Sequence, residues 1–182
     1  PTRQGLSLCA YDTTLSDDKP KAILVRRQEH FHFTATATLT LESVNAGSEA
    51  GITIYMNNRH HYEAALSTVG NGEYFLILRR RIGSLQAVEA RIPFHCNTVQ
   101  FILTGDKNHY TFSYLDVKPD ANPMPASAAF PDAVDAPVFI GEGEAQYLTT
   151  EVGGCFTGNY IGLYASKGEA LFTEFSYQGG RS

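Results

Sequence analysis

Two glutamates are spaced closely enough to suggest acid–base chemistry. Glu142 and Glu144 stand in the run Gly-Glu-Gly-Glu-Ala and would share one face if this run were a strand. Their separation along the backbone would be about 6.6 Å, inside the window of roughly 5–9.5 Å in which two carboxylates can cleave a glycosidic bond. The flanking glycines, however, are typical of a solvated turn. We therefore predict no catalytic residue here, and no enzyme from this chain alone.

The histidines do not indicate a metal site. His30 and His32 alternate onto one strand face, but no third or fourth ligand follows at metal-binding spacing. His60 and His61 are adjacent, so on a strand they point to opposite faces. We predict structural or surface roles for both pairs, with no catalytic triad, no metal ligands and no cofactor. A structural calcium ion remains open, without assigned ligands.

Three consecutive arginines, Arg79, Arg80 and Arg81, concentrate positive charge in an acidic chain. Alternation along a strand places the first and third on one face and the second on the other. Neighbouring predicted strands offer three partners: Glu29, Glu63 and Glu89. A ladder of structural ion pairs is the favoured interpretation. Docking of a partner domain is the alternative, because arginine is enriched at interfaces and binds carboxylates in bidentate fashion.

A glycine-rich turn at residues 153–158 carries one large aromatic side chain, Phe156. Glycine permits the positive φ angles that sharp turns need, and the small neighbours leave the ring with little cover. An aromatic ring on a tight loop either fills this domain's own core or reaches into a partner.

Tyrosines supply the rings that could stack on a sugar. The candidates are Tyr55, Tyr62, Tyr110, Tyr114, Tyr160 and Tyr164. Tyr160 and Tyr164 share one strand face, opposite the apolar side chains of residues 161, 163 and 165. The apolar side is the expected core, so the two tyrosines should line the other surface. Whether they pack internally or face a glycan or another domain depends on whether that surface is covered.

The elements that position these groups are predicted to be strands. Apolar residues alternate with period two, most clearly at residues 31–41, where Phe31 begins an apolar face. Further strands are predicted at residues 6–10, 22–25, 51–56, 61–67, 73–81, 85–92, 98–104, 109–115, 146–151, 159–165 and 170–177. Many short strands separated by turns are typical of an all-β fold, here a two-sheet antiparallel β-sandwich or jelly roll. We interpret residues 1–182 as one such domain.

Two segments interrupt the strand pattern. Residues 1–20 are mostly polar, and residues 116–137 contain five prolines and are predicted to form a long surface loop within the same domain. The three cysteines, Cys9, Cys96 and Cys155, form no CxxC motif. Two states of the cysteines remain open: one disulfide plus a free thiol, or three free thiols. The absence of a disulfide is favoured because a core of this size is stable without a covalent cross-link.

Composition excludes several partners. The net charge of -5 argues against nucleic acid, because proteins that bind phosphate backbones are usually basic. No apolar run approaches the roughly 18 residues of a membrane helix, so no membrane association is expected. The first residues show no signal-peptide pattern, and the sequence assigns no compartment.

Six blocks, in order, carry a family resemblance. They are residues 25–33, 49–62, 78–83, 110–114, 147–151 and 154–165. Together they resemble the C-terminal concanavalin A-like β-sandwich domain of glycoside hydrolase family 43 enzymes, chiefly β-xylosidases and α-L-arabinofuranosidases that act on xylan fragments. The likeness runs from about residue 22 to 177. The Pro-rich 116–137 segment departs from the shorter connection usual in that family.

The resemblance implies that catalysis and closure of the sugar pocket are contributed by different domains. Catalytic carboxylates would lie on an N-terminal five-bladed propeller, and a loop phenylalanine of the sandwich, matched here by Phe156, would help to close the sugar pocket. The candidate pocket or carbohydrate-binding residues are Phe156, Tyr160, Tyr164, Tyr62 and His61. We therefore expect a non-catalytic accessory domain that completes the propeller's pocket. The alternative is an autonomous module that binds xylan or xylo-oligosaccharides.

Overall fold

A computed structural model describes residues 5–10, 12–117 and 136–180, and these are mostly β-strand. The strands are β1 (Leu6–Ala10), β2 (Ala22–Arg27), β3 (Phe33–Leu41), β4 (Glu49–Asn57), β5 (His60–Gly70), β6 (Glu73–Ile82), β7 (Leu85–Phe94), β8 (Thr98–Gly105), β9 (His109–Asp116), β10 (Val138–Glu144) and β11 (Tyr160–Gly179). A 3-10 turn (Ala145–Leu148) and a single helical turn, α1 (Thr150–Gly153), lie between β10 and β11. Among these elements, neither helical segment is long enough or apolar enough to cross a membrane.

The long last strand, β11, belongs to both sheets. Its first part, from Tyr160 to Ala165, pairs with β4 on one side and β2 on the other. Its second part pairs with β3 and β1. One sheet therefore has the order β10-β9-β8-β3-β11-β1 and the other the order β7-β6-β5-β4-β11-β2, with every pairing antiparallel. The predicted antiparallel β-sandwich is confirmed.

The core lies between the two sheets and follows the alternation that the sequence predicts. Along β3, every second residue from Phe33 to Leu41 is buried, and the threonines between them face outward. Leu39, Phe101 and Ile52 have no solvent exposure. The prediction that Phe31 begins this apolar face is wrong, because the strand begins at Phe33 and Phe31 is exposed.

Two predictions about residues 138–151 are wrong. The Gly-Glu-Gly-Glu run is not a solvated turn but the end of β10, which pairs with β9. Its glycines allow the other sheet to approach: a Cβ on Gly141 would lie 2.4 Å from Leu78 Cδ2, and one on Gly143 would lie 2.6 Å from Tyr62 Cε2. The strand predicted at 146–151 is instead the 3-10 turn followed by α1.

The polar N-terminal segment contributes a buried side chain that the sequence analysis missed. Leu15 is 2% exposed and packs with Tyr164 and Ala65 on the outer face of the β4–β5–β11 sheet. The predicted strand at residues 6–10 is β1. Most of the predicted Pro-rich loop, residues 118–135, lies outside the described residues. Cys9, Cys96 and Cys155 are free thiols.

Candidate functional site

Residues 153–158, which we call the aromatic loop, join α1 to β11. Gly154 ends the helical turn in the left-handed conformation with φ 66°, and its N–H donates to the carbonyl of Thr150 over 3.0 Å. Gly158 turns the chain into β11 with φ 73°. A side chain at either glycine would be strained at these angles. The two glycines thus set the direction of the three residues between them, of which Phe156 is the middle one.

The aromatic loop is held at both ends by the body of the domain. At its start, Asn57 Nδ2 donates to the Gly153 carbonyl over 3.2 Å. At its end, the Arg27 guanidinium donates to the Thr157 carbonyl, and the Gln28 N–H donates to the Asn159 carbonyl over 2.9 Å. These contacts come from the ends of β4 and β2, so the sheet that contains both strands holds each end of the loop in place.

Phe156 stands at the tip of this anchored loop with its side chain in solvent. The residue is 94% exposed, more than any other large hydrophobic residue among those described. The ring therefore does not fill this domain's core. Full burial of a phenylalanine side chain is worth roughly 1.5–3 kcal/mol, and this ring gains none of it from its own chain. The free energy is available to a partner that covers the ring.

A cleft of about 630 Å³ opens beside the aromatic loop. Its lining comes from the β8–β9 hairpin tip, the segment after β2, the 3-10 turn and the start of β11. Gly158 and Asn159 belong to both the cleft wall and the base of the loop. Phe31, which is 64% exposed, lies on the lining segment that follows β2. The cleft and the aromatic loop therefore form one continuous surface at one end of the sandwich.

A chain of hydrogen bonds crosses the wall of this cleft. Asn159 Nδ2 donates to the Tyr110 hydroxyl over 3.0 Å and to the Leu148 carbonyl over 2.9 Å, and the Tyr110 hydroxyl donates to Gln28 Oε1 over 2.9 Å. Burial raises the pKa of Tyr110. Asn159 Oδ1 is buried without a hydrogen-bond partner. A buried acceptor of this kind is costly unless a donor reaches it.

Sequence reasoning missed Gln28 and Asn159 as members of this surface. They come from segments about 130 residues apart and meet only through the pairing of β2 with β11. No local motif marks either residue. The two residues meet because β2 and β11 pair in a particular register, and residue alternation does not predict that register.

The carboxylates of this surface are engaged in binding within the chain. Glu144 accepts from Arg80 over 3.1 Å. Asp106 Oδ1 accepts the N–H groups of Asn108 and His109 over 2.6 and 2.7 Å, and these bonds lower the pKa of Asp106. The two N–H groups favour the charged form of Asp106, whereas a general acid must hold a proton. The arrangement suits contact with a ligand or partner better than bond cleavage.

Three of the five candidate pocket residues are covered. Tyr164 and Tyr62 are 1% and 0% exposed, and His61 is 1% exposed. Tyr164 does lie on the face opposite the core, as alternation predicts, but Leu15 covers it. Tyr62 points into the core and donates to the Glu144 carbonyl over 2.9 Å. The prediction that these three contact a sugar is corrected, because no ring face is open to a ligand.

Tyr160 and Phe156 remain accessible. Tyr160 is half-buried at the start of β11, opposite Tyr55 of β4 and Arg27 of β2. Both residues lie at the end of the sandwich that carries the cleft. They are the two candidate pocket residues whose side chains are accessible to solvent.

His61 is buried as a neutral side chain. Its Nδ1 lies 3.1 Å from the Asn57 carbonyl, and its Nε2 is buried without a partner. Burial lowers the pKa of His61 to about 4. The neighbouring His60 also has a lowered pKa, again mainly because of burial. Their roles are those of packed side chains within the β4–β5 hairpin.

The three arginines are all bound to partners in this chain. Arg79 binds Glu49 over 2.9 Å and also binds Glu63, in a buried cluster. Burial raises the pKa of Glu63, the Arg79 guanidinium opposes this rise, and the negative charge of Glu49 adds to it. Arg80 binds Glu89 over 2.9 Å as well as Glu144. Of the predicted partners Glu63 and Glu89 are found, whereas Glu29 binds Arg26 instead.

Arg81 completes the ladder with neutral acceptors. Its Nε donates to the Gly83 carbonyl over 2.8 Å and its Nη1 to Gln86 Oε1 over 3.0 Å. These contacts favour the structural interpretation of the arginine run. Docking of a partner through these side chains remains only a prediction.

Comparison with known proteins places this antiparallel sandwich in a defined class. The family model of the β-xylosidase C-terminal concanavalin A-like domain matches residues 2–178. The chain therefore belongs to this family of domains, which occurs in glycoside hydrolase family 43 proteins.

Individual relatives agree with this assignment. A non-reducing end α-L-arabinofuranosidase of Bacteroides ovatus is 27% identical over 153 residues, which are 83% of this chain and 25% of the relative. The solved structure of the Bacteroides ovatus xyloglucan PUL GH43B has a TM-score of 0.78 at 21% identity, over 97% of this chain and 33% of that one. A xylan β-1,4-xylosidase from Bacillus halodurans C-125 has a TM-score of 0.76 at 17% identity, over 96% and 32%. The chain thus spans a quarter to a third of the length of these relatives.

Proposed function

We propose that this chain is a non-catalytic accessory domain of a family 43 glycosidase, and that it completes the sugar pocket of a propeller catalytic domain with Phe156. The observation that carries the proposal is the 94% exposure of Phe156 on a loop fixed by Asn57 and Arg27. A rigid wall at the end of a pocket fixes where a terminal sugar stops and excludes water from the reacting bond.

The lengths of the relatives support a missing catalytic partner. They are three to four times as long as this chain, and they include an arabinofuranosidase and a xylosidase. Glu144 and Asp106 on the cleft surface are bound by groups of this chain. This supports placing the catalytic carboxylates on the partner domain. We therefore infer that the chemistry takes place on that partner, and that xylan fragments or xylo-oligosaccharides are the substrates.

The surface beside the aromatic loop suits contact with another domain. Arg27, which holds the loop, ends β2, and Leu24 and Val25 of the same strand are 53% and 40% exposed. With Phe175 they border an apolar groove of about 400 Å³. An apolar strip that runs from the loop along an edge strand gives a partner domain area to bury.

The decisive experiment is Phe156→Ala in the full-length parent enzyme. If the ring is buried in the pocket wall, its loss removes roughly 1.5–3 kcal/mol of contact and should lower kcat/KM about 10- to 100-fold on aryl xylosides or arabinofuranosides. Phe139→Ala is the matched control, because Phe139 is 58% exposed but lies on β10 beside the far end of β9. Equal kinetics of the two variants would remove Phe156 from the pocket.

Affinity gels with the isolated chain distinguish the docking role from autonomous carbohydrate binding. An accessory docking domain should show no retention in affinity gels that contain xylan when the 182-residue chain is run alone. Clear retention that Tyr160→Ala abolishes would overturn the docking role in favour of autonomous binding. Tyr160 is the appropriate residue because Tyr164 is buried.

A further inference from the structure

A second polar cluster lies away from the aromatic loop, where the chain crosses between the sheets. Residues 95–97 connect β7 of one sheet to β8 of the other. Asp116 is the last residue of β9 and stands opposite Val99 in the register of β8. The pairing therefore brings Asp116 beside the turn that contains His95 and Cys96.

The ligand atoms of these three residues lie near one another. His95 Nε2 is 3.3 Å from Asp116 Oδ2. One ligand atom each from His95, Cys96 and Asp116 can be chosen so that all three lie within 4.8 Å of one another. Around a tetrahedral zinc ion, nitrogen, sulfur and oxygen ligands are about 3.3–3.7 Å apart, as metal–ligand distances of 2.0–2.3 Å require. Small side-chain rotations would therefore bring all three atoms onto one ion.

The carboxylate of Asp116 is incompletely satisfied without a cation. Its Oδ1 is buried and has no hydrogen-bond partner, while Oδ2 faces His95. A buried carboxylate oxygen without a donor or cation is disfavoured. Cys96 Sγ lies 3.1 Å from the Thr98 carbonyl, and the His95 ring contacts the Phe94 ring at a centroid distance of 4.9 Å. The Cys96 thiol proton that zinc would displace is the one donated to the Thr98 carbonyl, and the His95 ring is oriented by Phe94.

We propose that His95, Cys96 and Asp116 bind a zinc ion. A thiolate, an imidazole and a carboxylate form the mixed sulfur, nitrogen and oxygen set that Zn²⁺ accepts, whereas Ca²⁺ and Mg²⁺ prefer oxygen ligands alone. Binding replaces the thiol proton of Cys96 with the metal and releases that proton to solvent. The fourth position is taken by water, because the His95 side chain is 66% exposed and solvent reaches the cluster.

The site is independent of the proposed pocket. The cleft is lined by the β8–β9 hairpin tip, whereas the cluster lies at the opposite ends of β8 and β9. A strand of eight residues separates them by about 25 Å. A bound ion would tie the inter-sheet turn to the end of β9, which makes its role structural.

The test is a zinc titration of the 182-residue chain after chelator treatment under reducing conditions. Competition with a chromophoric chelator at pH 7 should show one equivalent of Zn²⁺. Co²⁺ should give tetrahedral ligand-field bands together with thiolate-to-cobalt charge transfer. His95→Gln, Cys96→Ser and Asp116→Asn should each weaken zinc binding tenfold or more. The matched controls Cys155→Ser and His30→Gln, in the aromatic loop and beside the cleft, should leave binding unchanged.

The exposed position of His95 keeps the experiment decisive even if a variant at Cys96 does not fold. His95→Gln alters a side chain that is 66% exposed, and circular dichroism would verify that the variant is folded. The proposal is overturned if the native chain retains no zinc against the chelator. It is also overturned if His95→Gln binds as tightly as the native chain, or if Cys155→Ser weakens binding as much as Cys96→Ser.

Discussion

Replacing Arg79 by methionine should strongly destabilise the domain, because this guanidinium is the cation for two buried carboxylates. The side chains of Glu49 and Glu63 are 9% and 3% exposed, and that of Arg79 is 16% exposed. Methionine keeps most of the volume but removes the charge. Loss of one partner from a buried ion pair costs about 3–5 kcal/mol, against a total stability of roughly 5–15 kcal/mol for a typical domain.

The assay is urea unfolding of the 182-residue chain at pH 7, followed by circular dichroism because the chain contains no tryptophan. Glu29→Gln is the control: it removes the surface ion pair with Arg26, in which Glu29 is 59% exposed, and should change the unfolding free energy by at most about 1 kcal/mol. A loss below about 1 kcal/mol for Arg79→Met would refute the reasoning from burial, since surface ion pairs show losses of that size.

Two further predictions concern packing on the outer face of the β4–β5–β11 sheet. The pKa of His61 falls to about 4 on folding, so its contribution to stability is complete above the unfolded pKa of 6.5 and is lost as the pH falls toward 4. Between pH 7 and 4.5 this loss is about 2 kcal/mol; parallel stability curves for the native chain and His61→Gln would contradict it. Leu15→Ala should cost about 2–5 kcal/mol because it opens a cavity over Tyr164. Leu24→Ala, at a residue 53% exposed, should cost under about 1 kcal/mol, and equal urea midpoints for the two variants would disprove the covering role of Leu15.

Strand alternation predicted much of this fold, because burial on one face of a sheet imposes a period of two on the residues. The buried and outward residues of β3 follow that pattern from Phe33 to Leu41. The pattern failed at β10, where Gly141 and Gly143 resemble turn residues but are needed for close packing against Leu78 and Tyr62. The sequence does not distinguish a glycine in a turn from a glycine packed beneath a large side chain. Only the position of the opposing sheet separates the two cases.

The accessible part of the site was predictable where the signal was local. The glycines around Phe156 predicted an aromatic ring on a sharp turn, and the ring is exposed. Burial of Tyr164 was not predictable, since alternation identifies the face of a residue but not what covers that face. The cover is Leu15, from a segment that is otherwise polar and about 150 residues away.

The central position of β11 has a consequence for how the domain is made. β3 and β4 follow each other in the chain, yet neither pairs with the other in the sheet order, because β11 lies between them. As the ribosome extends the chain, both strands have an unpaired edge until residues 160–179 emerge. Neither sheet can be completed before then, and such open edges recruit other chains. The two incomplete sheets therefore present open edges for pairing with other chains until their shared last strand is made.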